Sequence, residues 1–128
     1  MLEQKLNILI VDDDASVGQV LKAGLEMHEF NVRYEARSTE TIKVCLAFHP
    51  DLVLLDVEMP VKDGGQVAAE LQSHPTLRRT PVIFLTALAS KEEAVNVSRQ
   101  IILSKANSIA ELVARIRAVL RDKGLSSA

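Results

Sequence analysis

Three consecutive carboxylates, Asp12, Asp13 and Asp14, follow directly on an apolar run, and Asp56 ends a second such run. Further along, Thr86 and Ala87 follow a third, and Ser104 and Lys105 follow a fourth. If the fold gathers them, the carboxylates repel one another, so one must keep its proton or a cation must join them. A hard divalent ion such as Mg²⁺ suits such an oxygen set and often links carboxylates to a phosphate. The Thr86 hydroxyl and the Lys105 ammonium would suit the remaining oxygens of a phosphoryl group. The chemistry indicated is phosphoryl transfer with a carboxylate as nucleophile. Each residue alone has a plainer reading, and Asp14 is better explained as a helix N-cap. The joint pattern is not required by structure, because charges are seldom buried unpaired.

The runs that precede these residues must position them. Leu6 to Val11, Leu52 to Leu55 and Val82 to Leu85 are almost wholly apolar, as in strands buried on both faces, and Ile101 to Leu103 is a shorter version. Asn31 to Ala36 is more polar and reads as an edge strand. Between them, Val17, Val20, Leu21, Gly24 and Leu25 follow helical spacing, as do Ile42, Cys45 and Leu46 behind Ser38 as N-cap. Val67, Ala68 and Leu71 mark a third helix after Asp63-Gly64, ended by His74-Pro75. Ser108 and Glu111 form a capping box ahead of Ile109, Leu112, Val113, Ile116, Val119 and Leu120 on one stripe. Alternating strands and helices imply a doubly wound α/β fold, a parallel sheet with helices on both faces. Right-handed crossovers then bring the carboxyl ends of the strands, where ligands bind in such sheets, to one edge.

The 128 residues fit one domain, and the single cysteine allows no intramolecular disulfide, consistent with a cytoplasmic location. Fifteen basic against seventeen acidic residues give a net charge of −2, which argues against a dedicated nucleic-acid module. No apolar run approaches the roughly 20 residues that span a bilayer.

Taken in order, Ile8-Leu9-Ile10-Val11-Asp12-Asp13-Asp14, Pro50-Asp51-Leu52-Val53-Leu54-Leu55-Asp56, Met59-Pro60-Val61-Lys62-Asp63-Gly64, Thr86-Ala87 and Lys105 resemble the receiver domain of two-component response regulators. The resemblance covers about Leu6 to Arg121. It implies a five-stranded parallel sheet in the order 2-1-3-4-5 and a receiver spanning residues 1–123, with 124–128 a short polar tail. It implies Asp56 as the phosphoacceptor, taking its phosphoryl group from a sensor histidine kinase or phosphotransfer protein. Asp12 and Asp13 match the acidic pair that places Mg²⁺, Asp13 more directly, and the Glu58 backbone carbonyl would be a further ligand. Thr86 with the Ala87 backbone matches the switch, and Lys105 the cationic partner of the phosphoryl oxygens. Such a domain modifies itself and is not a turnover enzyme. Its signal would reach a downstream effector or a fused output domain.

The sequence also departs from the family. Ala106 stands where a cis-proline is usual, and a cis bond before a non-proline costs roughly 2.5–4 kcal/mol, so a trans bond is expected. Ile102 stands where the family often has an aromatic that reports the switch. Only residues 87–104 separate Thr86 from Lys105. A capping box at Ser90 and Glu93 starts a fourth helix there, which this span predicts to be short, shifted or mobile. That weakens family-style pairing through this face and leaves at most a weak homodimer. Gly65 and Glu29 are local variations, Cys45 reads as a buried thiol, and the three histidines as helix-end residues. Arg115, Arg117, Arg121 and Lys123 read as a solvated face.

Two rivals remain. Asp12-x-Asp14 imitates the nucleophile motif of haloacid-dehalogenase-type phosphatases, but those need an acidic pair after the lysine, and only Glu111 and Asp122 follow. A pseudo-receiver that binds partners without phosphorylation fits Ala106 and Ile102, but not the complete set of Asp56, the acidic pair, Thr86 and Lys105.

Overall fold

The apolar runs and two further segments form strands that lie side by side in a computed structural model, which describes residues 4–87, 95–97 and 100–124. They are β1 (Asn7–Val11), β2 (Asn31–Glu35), β3 (Leu52–Asp56), β4 (Val82–Thr86), β5 (Val95–Val97) and β6 (Gln100–Ser104). The sheet order is β2-β1-β3-β4-β6-β5. Its first five members are parallel and reproduce the expected 2-1-3-4-5 order, with β6 as the fifth parallel strand. Among the described residues four α-helices cover the sheet, α1 (Ala15–Glu26), α2 (Thr41–Phe48), α3 (Gly64–Ser73) and α4 (Ile109–Asp122).

The alternation of side chains along each strand sorts the core into two layers. Ile8, Ile10, Leu52, Leu54, Ile83 and Leu85 face one side, with Leu25 of α1 and Leu112, Ile116 and Leu120 of α4. Leu9, Val11, Val53, Leu55 and Phe84 face the other, with Val44 and Cys45 of α2 and Val67 and Leu71 of α3. All five residues of β3 are buried, which explains why its sequence has no polar alternation before Asp56.

The edge beyond β6 differs from expectation. Val95–Val97 are not helical: they pair antiparallel with β6, Val95 opposite Ile102 and Val97 opposite Gln100. At these three residues pairing with β6 decides the conformation, as tertiary context does when the local preference is weak. Ser90 and Glu93 themselves lie outside the described residues, as do the tail residues 125–128.

Local signals mostly hold. Asp14 caps α1 through bonds from the Ser16 and Val17 amides. Asp63 with Gln66 and Ser108 with Glu111 form complete capping boxes on α3 and α4. Ser38, expected to cap α2, lies instead in a 3₁₀ turn (Ser38–Glu40), and its hydroxyl donates to the Pro60 carbonyl at 3.3 Å. Glu40 stands at the cap position without a side-chain capping bond. His49 ends α2 in the left-handed region and His74 ends α3. Glu29 also takes a positive φ, 68°, at the corner between α1 and β2. Arg117 is no solvated residue: it donates to the His28 carbonyl at 2.9 Å and lies 4.8 Å over the Phe30 ring, joining α4 to that corner. Burial raises the Cys45 thiol to about 11, which leaves it inert. None of the described helices is long and apolar enough to cross a membrane.

Candidate functional site

The parallel order places the ends of β1, β3, β4 and β6 along one edge of the sheet, and the chemistry-bearing residues stand there. Asp12 directly follows β1 and is fully buried, Asp13 beside it is exposed, and Asp56, the last residue of β3, is 4% exposed. One carboxylate oxygen from each of the three lies within 4.8 Å of the others. Thr86 ends β4 and is buried, and Ala87 after it is exposed. The Lys105 amide donates to the Thr86 carbonyl at 2.8 Å, which extends the β4–β6 ladder one step past the strands.

Lys105 turns its ammonium into the acidic group, 2.8 Å from Asp12 Oδ2 and 3.2 Å from Asp56 Oδ1. Burial alone would lower its pKa, but the Asp12 and Asp56 carboxylates outweigh that and hold it above the ordinary lysine value. Asp56 is displaced the other way. Burial first, and the neighbouring charge of Asp12 second, raise it to about 6, against the pull of Lys105 and of the Glu58 amide 3.4 Å away. No cis peptide bond occurs among the described residues, so Lys105 reaches the carboxylates through a trans bond to Ala106. The Ala106 amide is held by the Ser104 hydroxyl at 3.0 Å. Ile102 is half-buried and packs on the side of α2 and α3.

The donor set fits a divalent cation. Three carboxylates against one ammonium leave a local formal charge of −2. Asp12 Oδ1 is occupied by the Asp14 amide at 2.9 Å, whereas Oδ2 is buried and, beyond its ion pair with Lys105, receives no directed hydrogen bond. Hard carboxylate oxygens whose negative charge exceeds that of their one cationic partner are the environment Mg²⁺ prefers.

Two further residues support the site in ways that the sequence alone does not spell out. Gly64 lets the start of α3 lie against the Asp56 carbonyl, where a Cβ would collide, and its amide donates to the Val57 carbonyl at 2.9 Å. Its place in the Asp63-Gly64 pair was a signal for such close approach. Tyr34 on β2 donates its hydroxyl to the Asp12 main-chain carbonyl at 2.6 Å, and no spacing rule links residues so far apart through a backbone atom. Burial, and then the charges of Asp12, Asp14, Asp13 and Glu35, raise the Tyr34 pKa, so the phenol stays a donor.

Comparisons with known proteins agree with this geometry. The family described as the response regulator receiver domain matches residues 8–117. The transcriptional regulatory protein CpxR of Klebsiella pneumoniae is 43% identical over 118 residues, covering 89% of this chain and 49% of that protein. The transcriptional regulatory protein PrrA of Mycobacterium tuberculosis is 34% identical over 120 residues, 91% of this chain and 51% of that protein. This chain therefore spans about half the length of the curated relatives it matches. Among solved structures, the BeF3-activated N-terminal receiver domain of RstA from Klebsiella pneumoniae superposes with a TM-score of 0.77 at 32% identity, covering 90% of this chain and 98% of that one. With the sheet order, the acidic edge and the sequence match in agreement, the chain belongs to the response regulator receiver domain family.

Proposed function

We propose that residues 1–123 act as a phosphorelay receiver that accepts a phosphoryl group on Asp56 in a Mg²⁺-dependent manner. The observation that carries this reading is the buried Asp56 carboxylate held within reach of Asp12, Asp13 and the Lys105 ammonium. Asp12, Asp13, Asp56 and the Glu58 backbone carbonyl would hold the ion, whose charge offsets that of the incoming phosphoryl oxygens. The donor would be a phosphohistidine of a sensor histidine kinase or phosphotransfer protein. An Asp56 carboxylate oxygen forms a bond to phosphorus as the P–N bond breaks, and the electron pair stays on the imidazole nitrogen, which takes a proton.

Lys105 faces the new oxygens together with the Thr86 hydroxyl and the Ala87 amide, and the added negative charge favours their closer approach. That rearrangement at the ends of β4 and β6 is the switch. Ile102 offers no aromatic ring to report it, so the change would leave through the backbone at this edge. In the hydrolytic step that resets it, a water oxygen bonds to phosphorus as the P–O bond to Asp56 breaks, the electron pair returns to the Asp56 carboxylate, and inorganic phosphate leaves with the water protons. The chain thus acts on itself and turns over no separate substrate. Its output would pass to an effector protein or to a fused domain, as the greater length of the regulator relatives suggests. The BeF3-activated form of the RstA receiver supports an anion of phosphoryl shape as an activator here too.

Mass spectrometry after incubation with Mg²⁺ and a small phosphodonor tests this. One added phosphate is expected, absent from Asp56→Asn. No modification at any Mg²⁺ concentration would leave a phosphorylation-independent binding module, and sustained release of phosphate from an ester would point to a phosphatase.

A further inference from the structure

We propose that Tyr34 is a positioning residue for the acidic turn, orienting Asp13 for cation binding through the Asp12–Asp13 peptide, and that Gly18 is the opening in α1 that admits its ring. This inference rests on the Mg²⁺ reading above.

Tyr34 lies opposite Ile10 in the β1–β2 register, on the layer covered by α1 and α4. Its ring occupies the space beside Gly18, where any Cβ would overlap the ring carbons. A glycine inside a helix costs roughly 0.5–1 kcal/mol relative to alanine, so helix formation alone gives no reason for it. The ring placed there sends its hydroxyl 2.6 Å to the Asp12 carbonyl. The neighbouring residue of β2 completes the hold, because the Glu35 carbonyl accepts the Asp12 amide at 3.2 Å. The end of β2 thus fastens both main-chain polar groups of Asp12.

The consequence falls on Asp13. The Asp12 carbonyl belongs to the planar peptide that carries the Asp13 nitrogen and Cα, so fixing its direction fixes where the Asp13 side chain starts. Asp13 is exposed, so the direction of this peptide bears directly on where its side chain points. Three carboxylates at close quarters repel and would splay a loose turn. A turn held in advance reduces the ordering needed when a cation binds, and groups that orient ligands from behind typically contribute about tenfold or more to metal affinity.

The test is Tyr34→Phe, which keeps the ring and removes the hydroxyl, followed by NMR titration of the full chain with Mg²⁺ alone. The Mg²⁺ dissociation constant is expected to rise about fivefold to tenfold. The amide resonances of Asp13 and Asp14 should move in the metal-free protein, and the Asp14 amide should exchange faster. Gly18→Ala, by displacing the ring, should weaken Mg²⁺ similarly. A lowered melting temperature with an unchanged Mg²⁺ constant would reduce Tyr34 to a packing residue and overturn the proposal. If the unaltered protein binds no Mg²⁺, the metal reading fails by itself. Asp14 exchange then still decides whether Tyr34 holds the turn: faster exchange supports the tether, and unchanged exchange overturns it.

Discussion

The Lys105 ammonium lies 3.2 Å from Asp56 Oδ1, on a trans peptide and with alanine next in the chain. The hydrogen bond that the Lys105 amide donates to the Thr86 carbonyl, and the one that the Ala106 amide donates to the Ser104 hydroxyl, keep the loop on this path. Proline is therefore not needed to bring the lysine to the carboxylates.

Replacing that lysine by an uncharged chain of similar length, Lys105→Met, leaves Asp12 and Asp56 buried without their cation. Breaking a buried pair by removing one partner usually costs several kcal/mol. Here Asp56 can take up a proton, which limits the loss to about 2 kcal/mol at pH 7 and to less at pH 5. Urea unfolding of both proteins at the two pH values measures this. An equal loss at both would show that Lys105 does not act through the ionised Asp56.

Asp56 itself should impose a pH dependence on the metal-free fold. Its folded pKa of about 6 lies above the ordinary value of 3.8, so between these values the folded state binds more protons than the unfolded one. Stability then falls as pH rises through this window and levels off above it. Asp56→Asn removes the effect. The variant should match the parent below pH 4 and exceed it by on the order of 2–3 kcal/mol at pH 7. Urea midpoints measured across this range would contradict the buried, ionised Asp56 if the difference stayed flat.

Mg²⁺ should reverse part of that deficit. A ligand bound only by the folded state at ten times its dissociation constant adds about 1.4 kcal/mol. The gain should be larger at pH 7 than at pH 5, where Asp56 holds its proton, and a chelator should remove it. Asp13→Asn should lose most of it while unfolding much like the parent without metal, because Asp13 is exposed. Thermal melts with and without Mg²⁺ at both pH values supply the comparison.

Val61 lies in the loop between β3 and α3 with φ of 68° and 85% of its surface exposed. A β-branched residue is strained in the left-handed region, and this one recovers little by burial. Val61→Asn should therefore raise stability by about 0.5–1.5 kcal/mol, because asparagine tolerates that conformation. A lower melting temperature in the variant would mean that Val61 makes a contact worth more than its strain.

Much of this architecture is legible in the sequence because each buried strand is a continuous apolar run that stops at a chemically distinct residue. Val11 before Asp12 and Leu55 before Asp56 mark the edge, and parallel order does the gathering. What was not legible depends on tertiary partners. Val95-Asn96-Val97 is too short for its period to separate strand from helix, and β6 decides the matter. Ser38 carries an N-cap signal, yet its hydroxyl is directed to the Pro60 carbonyl from another loop. Arg117 resembles its solvent-facing neighbours in α4 until Phe30 and the His28 carbonyl are placed beneath it. Tyr34 answers to a glycine in one element and a backbone oxygen after another.

The bond from Tyr34 to Asp12 has a practical side as well. The chain has one tyrosine and no tryptophan, so its intrinsic ultraviolet emission arises chiefly from that single ring. The ring's oxygen rests on the backbone of the acidic turn. The unlabelled protein thus carries a native optical reporter at its own charged edge, and a change in its emission reads events there directly.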